Sequence, residues 1–196
     1  MIDPASIAFD IDDVVADTMQ LFLDIAREEY GETDLYSEDF TCYNLEDCLD
    51  LDPVILRKIF ERIIDGDYSA TLHPIDGAVE VLQRLADSFS PVLFITARPF
   101  AGPMTKWLPC VLDVDQKDIE IIAVGDFDKK AGILVERNIS YFIEDRLETC
   151  FKLETRGITP VLFSQPWNRK THHFTEVHNW RELESLIEFE TRNPEL

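Results

Sequence analysis

The sequence predicts an α/β protein with a mainly parallel sheet covered by helices on both faces, and three observations carry that prediction. Short apolar runs rich in β-branched or aromatic residues recur along the chain, amphipathic helical patterns lie between them, and no internal repeat or low-complexity linker interrupts the alternation. The 196 residues suffice for one domain, or one domain with a modest insertion. An apolar content of 45% with 11% aromatics supports a packed core and excludes a disordered chain.

Taken in order, Ser6–Asp10 (Ser-Ile-Ala-Phe-Asp) reads as a short buried strand. A βα unit ordinarily returns to the sheet within a few residues, yet about 65 positions separate Asp13 from the next sheet-covering helix, near Gly77. Two helices fit in that interval. Thr18–Tyr30 carries Met19, Phe22, Leu23, Ala26 and Tyr30 on one side and stops at Gly31. Pro53–Ile64 has Asp52 as N-cap, Pro53 in the first turn, a stripe of Leu56, Ile59, Phe60 and Ile63, and Gly66 beyond. Residues 16–75 are therefore expected to form a small helical insertion over the end of the first strand, with 1–15 and 76–196 as the α/β core. In that core, Gly77–Ser88 is a helix with Val79, Leu82, Leu85 and Ala86 on one face, and Pro91–Ile95 and Ile119–Val124 are strands. Lys130–Arg137 is a helix capped by Asn138, Ser140–Ile143 a strand, and Leu147–Arg156 a helix capped by Gly157. Thr159–Phe163 is a strand, and Asn179–Glu190 one more packing helix.

Charge narrows the function classes. Eighteen Lys and Arg stand against 39 Asp and Glu, a formal net charge of −21. Such a field repels polyphosphate chains and anionic membrane surfaces, so neither a nucleic-acid polymer nor a membrane is an expected partner. Residues 16–75 hold 15 acids and 4 bases, a net of −11, which is about half the imbalance. No apolar run approaches the length of a bilayer span and the first ten residues lack a basic, signal-like start, so a cytoplasmic monomer or homodimer is expected. Cys42, Cys48, Cys110 and Cys150 show no CxxC spacing and no nearby His, which favours reduced thiols over a disulfide framework or a zinc site.

With 39 acids, chance alone supplies about eight acid-x-acid pairs, so position rather than pairing singles out Asp10 and Asp12. They follow directly on a buried strand, where open α/β sheets place their ligands. Together with Asp13 they repel one another unless a cation or hydrogen bonds offset the charge; a solvated turn capping a helix is the plainer alternative. The other strand ends carry a complementary set. Pro91–Ile95 is followed by Thr96, Ala97, Arg98 and Pro99, and Ser140–Ile143 by Glu144, Asp145 and Arg146, while Lys129 and Lys130 open the helix between. Singly, Thr96 is an N-cap, Lys130 a solvated side chain and Glu144–Asp145 a turn. Together, on one edge of the sheet, they are the parts needed to bind Mg²⁺ and a phosphoryl group.

At these residues the chain resembles the haloacid dehalogenase-type phosphatases. Phe-Asp-Ile-Asp-Asp-Val-Val-Ala-Asp-Thr (Phe9–Thr18) is similar to their first motif, and Thr96, Lys130 and Glu144–Asp145 match the second, third and fourth in order. Within that superfamily the chain most resembles the 5′(3′)-deoxyribonucleotidase-like branch and its bacterial nucleotidase relatives. The narrower likeness rests on Phe142-Ile143-Glu144-Asp145-Arg146, Lys130-Ala131, Gln165-Pro166-Trp167-Asn168-Arg169 and Asn179-Trp180. The resemblance implies a Rossmann-like core with a C1-type cap, and a Mg²⁺-dependent phosphomonoesterase acting on a small phosphorylated metabolite, a (deoxy)nucleoside monophosphate first. It implies Asp10 as the nucleophile that forms an aspartyl-phosphate and Asp12 as acid, then base. Mg²⁺ would be held by the Asp10 carboxylate, the Asp12 carbonyl and Asp145, with Glu144 behind them, and Thr96, Ala97, Arg98 and Lys130 would meet the substrate. Lys130 is preferred to Lys129 because it precedes Ala131 and lies fourteen positions before Glu144, the spacing of the relatives. An Asp at position 12 suits a phosphatase, since carbon–halogen cleavage needs no acid for its leaving group. Two departures stand out: Asp13 replaces the usual small residue, and Thr96-Ala97-Arg98-Pro99 differs from the set that deoxyribonucleotidases favour.

The alternatives are a sugar or other metabolite phosphatase with the same machinery and, from another class, a non-catalytic binding or regulatory protein, which would have no need of Asp12. His172–His173 reads as a surface pair rather than a metal site. Trp167 and Asn168 either meet a base or anchor the last helix. Arg98 and Arg146 contact substrate anions or pair with surplus acids, pairing being the better reading for Arg146. Phe40, Tyr43 and Leu45 line a specificity pocket or fill the core of the insertion.

Overall fold

A computed structural model describes residues 1–189. Six strands form one parallel sheet: β1 (Ile7–Phe9), β2 (Val92–Thr96), β3 (Ile119–Ala123), β4 (Tyr141–Glu144), β5 (Thr159–Phe163) and β6 (Thr175–Val177), in spatial order β3-β2-β1-β4-β5-β6. The chain turns back on itself between β2-β1 and β4, so β1 and β4 flank the switch point at which open α/β sheets open a crevice. Phe9 lies opposite both Phe94 and Ile143, which brings the residues that follow β1, β2 and β4 to one edge.

Alternation along the strands sorts side chains to two faces. Ile7, Phe9, Val92, Phe94, Ile143 and Phe163 join one buried cluster with α3 (Ala78–Phe89), α4 (Gly102–Leu112) and α7 (Trp180–Leu186). Ala8, Leu93, Ile95 and Phe142 face the other way, onto α5 (Lys130–Glu136) and α6 (Leu147–Glu154). The sheet is thus covered on both faces, as the sequence predicts. Asn138 and Gly157 adopt the left-handed conformations expected of helix stops.

Between β1 and α3 lie α1 (Thr18–Tyr30) and α2 (Pro53–Asp65), packed on each other through Phe22 and Phe60, with Phe40 set edge-on to Phe22. The chain enters and leaves this segment side by side: Asp17 N–H donates to the His73 carbonyl and Ile75 N–H to that of Val15, at 2.9 and 2.7 Å.

The structure adds a helix and a strand to those predicted, trims several element ends by one or two residues, and shortens the last helix most. α4 carries Met104, Leu108 and Leu112 on its buried face, a spacing masked by Pro103 and the interior Pro109. β6 is a three-residue edge strand with Thr175 and Glu176 exposed. α7 ends at Leu186 because Ile187 goes extended and bridges Ile2; the rest of the predicted core, from residue 190, lies outside the described residues. The reading of four reduced thiols is corrected for one pair. Cys42 and Cys48 form a disulfide, because the short turn Leu45–Asp47 folds the chain back and brings their Cα atoms within 6.0 Å; Cys110 and Cys150 are free. Among the described residues no helix is long and apolar enough to cross a membrane.

Candidate active site

Asp10 leaves β1 at the switch point, where its N–H donates to the Ile143 carbonyl at 2.9 Å and its Oδ1 accepts the Ile11 N–H at 2.8 Å. Lys130, the first residue of α5, is fully buried, with Nζ 2.5 Å from Asp10 Oδ2 and 2.9 Å from Glu144 Oε2. Lys129 is exposed, so the lysine chosen by spacing is the one that enters the site. Glu144 ends β4, and its second oxygen accepts the Arg146 N–H at 3.1 Å. Carboxylate oxygens of Asp10, Glu144 and Asp145 lie within 4.8 Å of one another. Asp10 and Asp145 open onto a cavity of about 240 Å³, whereas Glu144 stays behind it.

Burial dominates the electrostatics. It raises the Asp10 carboxyl well above its ordinary range against the pull of Lys130, and raises Glu144 as well. Asp145 is pushed up to about 7 by burial and by Asp10, with Lys130 and the Trp167 indole opposing. Burial works against the Lys130 ammonium, but Asp10 and Glu144 outweigh it and raise its pKa. One ammonium cannot balance three carboxylates. The convergent hard oxygens are a donor set that suits Mg²⁺, with Asp10 and Asp145 nearest the cavity.

Asp12 is held differently. Arg98 grips it with two prongs, Nε to Oδ2 at 3.0 Å and Nη2 to Oδ1 at 2.7 Å. Thr18 also donates to Oδ1, at 2.7 Å, and the buried Thr96 hydroxyl lies 3.4 Å from Oδ2. Burial alone would raise Asp12, but Arg98 and the hydrogen bonds from Arg98 and Thr18 hold it below the usual carboxylate range. Thr96 also accepts the Arg98 N–H at 3.1 Å, and Ala97 and Arg98 line the cavity.

Asp13 answers to the backbone. Its φ of 57° is left-handed, a region that Asp enters more readily than most residues and where glycine is at ease. Its carboxylate accepts the Met19 N–H at the start of α1, and burial with Asp145 and Asp12 nearby raises its pKa. The turn after β5 supplies contacts that sequence reasoning missed. Trp167 Nε1–H donates to Asp145 Oδ2 at 2.8 Å, Asn168 Nδ2 to the Asp145 and Phe163 carbonyls, and Gln165 Nε2 to the Asp13 carbonyl at 2.7 Å. The run Gln165–Arg169 stood out in the sequence, but its target was not visible there.

The cavity walls are apolar. Met19, Tyr43, Leu45, Phe60, Ile64 and Phe127 face it, whereas Phe40 is core. None of the 15 acids of residues 16–75 lines it. Arg146 lies over the rings of both Tyr43 and Phe127, 4.4 and 4.1 Å from their centroids, and pairs with Glu148 at 3.7 Å, so the expected acid pairing is present and stacking is added to it. His172 and His173 pair with Glu176 and Glu154.

Comparison with known proteins follows the same lines. The family model described as 5′ nucleotidase, deoxy (pyrimidine), cytosolic type C protein matches residues 4–193. A haloacid dehalogenase-like hydrolase from Streptococcus pneumoniae shares the fold at TM-score 0.59 and 15% identity, covering 92% of this chain and 96% of that one. A HAD phosphatase from Thermococcus onnurineus does so at 0.54 and 19%, covering 92% and 96%. A HAD-superfamily hydrolase from Ehrlichia chaffeensis does so at 0.53 and 14%, covering 95% and 97%. No curated protein matches the sequence. Since the matched span takes in the first strand, the buried lysine and the two acids at the end of β4, the chain belongs to the 5′ nucleotidase, deoxy (pyrimidine), cytosolic type C family of phosphatases, and it shares its fold with haloacid dehalogenase-type hydrolases.

Proposed function

We propose that the protein is a Mg²⁺-dependent phosphomonoesterase of small metabolites, with (deoxy)nucleoside monophosphates as its first substrates and residues 16–75 as a cap over the site. One observation carries this reading: Asp10 and Asp145 on the floor of an aromatic-walled cavity, with a buried Lys130 behind them bridging Asp10 to Glu144.

Asp10 attacks phosphorus and forms an aspartyl-phosphate, splitting hydrolysis into two easier steps. Asp12, an ionised carboxylate in the grip of Arg98 and Thr18, takes up the proton of the bound monoester monoanion, passes it to the departing oxygen and then takes one from the attacking water. Lys130 holds Asp10 in line, and the Thr96 hydroxyl turns to a phosphoryl oxygen. Asp10, Asp145 and the Asp12 carbonyl would hold Mg²⁺, with Glu144 tied to Lys130 behind them; bound there, the ion offsets the charge that keeps a phosphate dianion from a carboxylate. The rings of Tyr43, Phe60 and Phe127 favour a flat leaving group over a sugar.

A panel of phosphate monoesters assayed with Mg²⁺ tests the reading. Turnover on nucleoside monophosphates above sugar phosphates is expected, with Asp10→Asn lowering it on the order of a thousandfold or more while circular dichroism is unchanged. Turnover retained in Asp10→Asn would end the covalent mechanism, and a preference for sugar phosphates would move the substrate class.

A further inference from the structure

The second acid of the site is governed by a residue whose guanidinium uses all three of its nitrogens. Arg98 is only 5% exposed, and its planar group is used on three sides. Two prongs grip Asp12. The third, Nη1, donates at 3.0 Å to the Ile63 carbonyl in the last turn of α2. That carbonyl lacks a helical partner, because the Asp67 N–H goes to Arg62 instead, and it lies at the negative end of the helix, where a cation is favoured. The guanidinium is therefore anchored at its far side by α2 and offers Asp12 a rigid fork. The two oxygens of Asp12 are not equivalent. Oδ1 takes strong donors from both Arg98 and Thr18. Oδ2 takes one strong donor, Arg98 Nε, and the more distant Thr96 hydroxyl at 3.4 Å. A phosphoryl oxygen that drew Thr96 away would leave a lone pair of Oδ2 towards the cavity that Asp12 and Arg98 both line, free to take up the proton of the monoester monoanion and pass it to the leaving group.

We propose that Arg98 is a positioning residue, a clamp that fixes Asp12 with Oδ2 presented to the leaving-group oxygen and ties that orientation to α2, rather than a ligand for the substrate phosphate. The clamp rests on the acid role given to Asp12 above. Lysine cannot replace it: an ammonium keeps the charge but has no planar fork with which to hold both oxygens.

Leaving-group chemistry separates the possibilities. An alkyl leaving group such as a nucleoside oxygen needs a proton as it departs, whereas p-nitrophenolate does not, and kcat/KM reports the step in which it leaves. The readout is the ratio of kcat/KM for a nucleoside monophosphate to that for p-nitrophenyl phosphate, in the full chain with Mg²⁺. Arg98→Lys is expected to lower this ratio about tenfold, a part of the 10²–10⁴ that positioned acid catalysis supplies. In an Asp12→Asn background the same substitution should lower it no further. An equal loss on both substrates would make Arg98 a phosphate ligand, and no loss on either would make it structural; each overturns the clamp. Thermal unfolding of Arg98→Lys confirms that a folded protein is being compared. If Asp12→Asn itself leaves the ratio unchanged, the acid role fails and the clamp with it. If the ratio falls there but not in Arg98→Lys, the clamp alone fails.

Discussion

Asp145 carries a conflict between folding and function that one substitution exposes. Its folded-state pKa is raised to about 7, so it favours the fold while protonated: that contribution is full below the ordinary carboxylate range and is lost as pH rises through about 7. The metal-free protein should accordingly lose stability between about pH 4 and 7. Asp145→Asn keeps the shape without the charge, so at pH 8 it should raise the metal-free Tm by on the order of 5 °C and remove the further rise that Mg²⁺ gives the parent. Differential scanning calorimetry with and without Mg²⁺ checks both, and a lower metal-free Tm would contradict the account. At this scale much of the site was legible. Asp10, Thr96, Lys130, Glu144 and Asp145 stand at strand ends or helix starts, places that hydrophobic periodicity locates. The grip of Arg98 on Asp12, 86 positions away, was not legible, because only the packing of β2 beside β1 decides whether that arginine meets an acid or a substrate.

Elements differ in how far local sequence defines them. α1 and α2 carry their own caps, Asp17 and Asp52 at the start and left-handed Gly31 and Gly66 at the end, and both were readable. α4 was not, since Pro103 and Pro109 argue locally against a helix that burial of Met104, Leu108 and Leu112 sustains. β6 has no apolar run and owes its extended form to pairing with β5. The turn Pro166–Asn168 after β5 shows what such placement achieves: it delivers an indole N–H to the Asp145 carboxylate. Trp167→Phe preserves most of the packing and deletes only that donor. Mg²⁺ affinity, followed by titration calorimetry, should fall about tenfold, the low end of the range for partners that orient a metal-binding carboxylate. Unchanged affinity would leave the tryptophan a purely packing role.

Over the whole molecule, the net charge of −21 acts at long range although none of the acids of residues 16–75 lines the cavity. Far-field repulsion of a dianion and attraction of a divalent cation are both screened by salt, so raising ionic strength should improve kcat/KM for a monoester and weaken apparent Mg²⁺ affinity. Responses of the same sign would show that local charges, not the overall field, control access. The two ends of the described fold also meet. Trp180 of α7 is fully buried, stacked on Phe9 with centroids 5.6 Å apart, and its indole N–H reaches the Val14 carbonyl at 2.8 Å. Gly77 makes room for it, since a Cβ there would lie 3.1 Å from that of Trp180. On the ribosome, then, the peptide that bears the nucleophile emerges early but gains its final buttress only when residue 180 follows. A polypeptide interrupted before that point would display every motif in its reading frame and yet lack the wedge that closes the core behind its first strand.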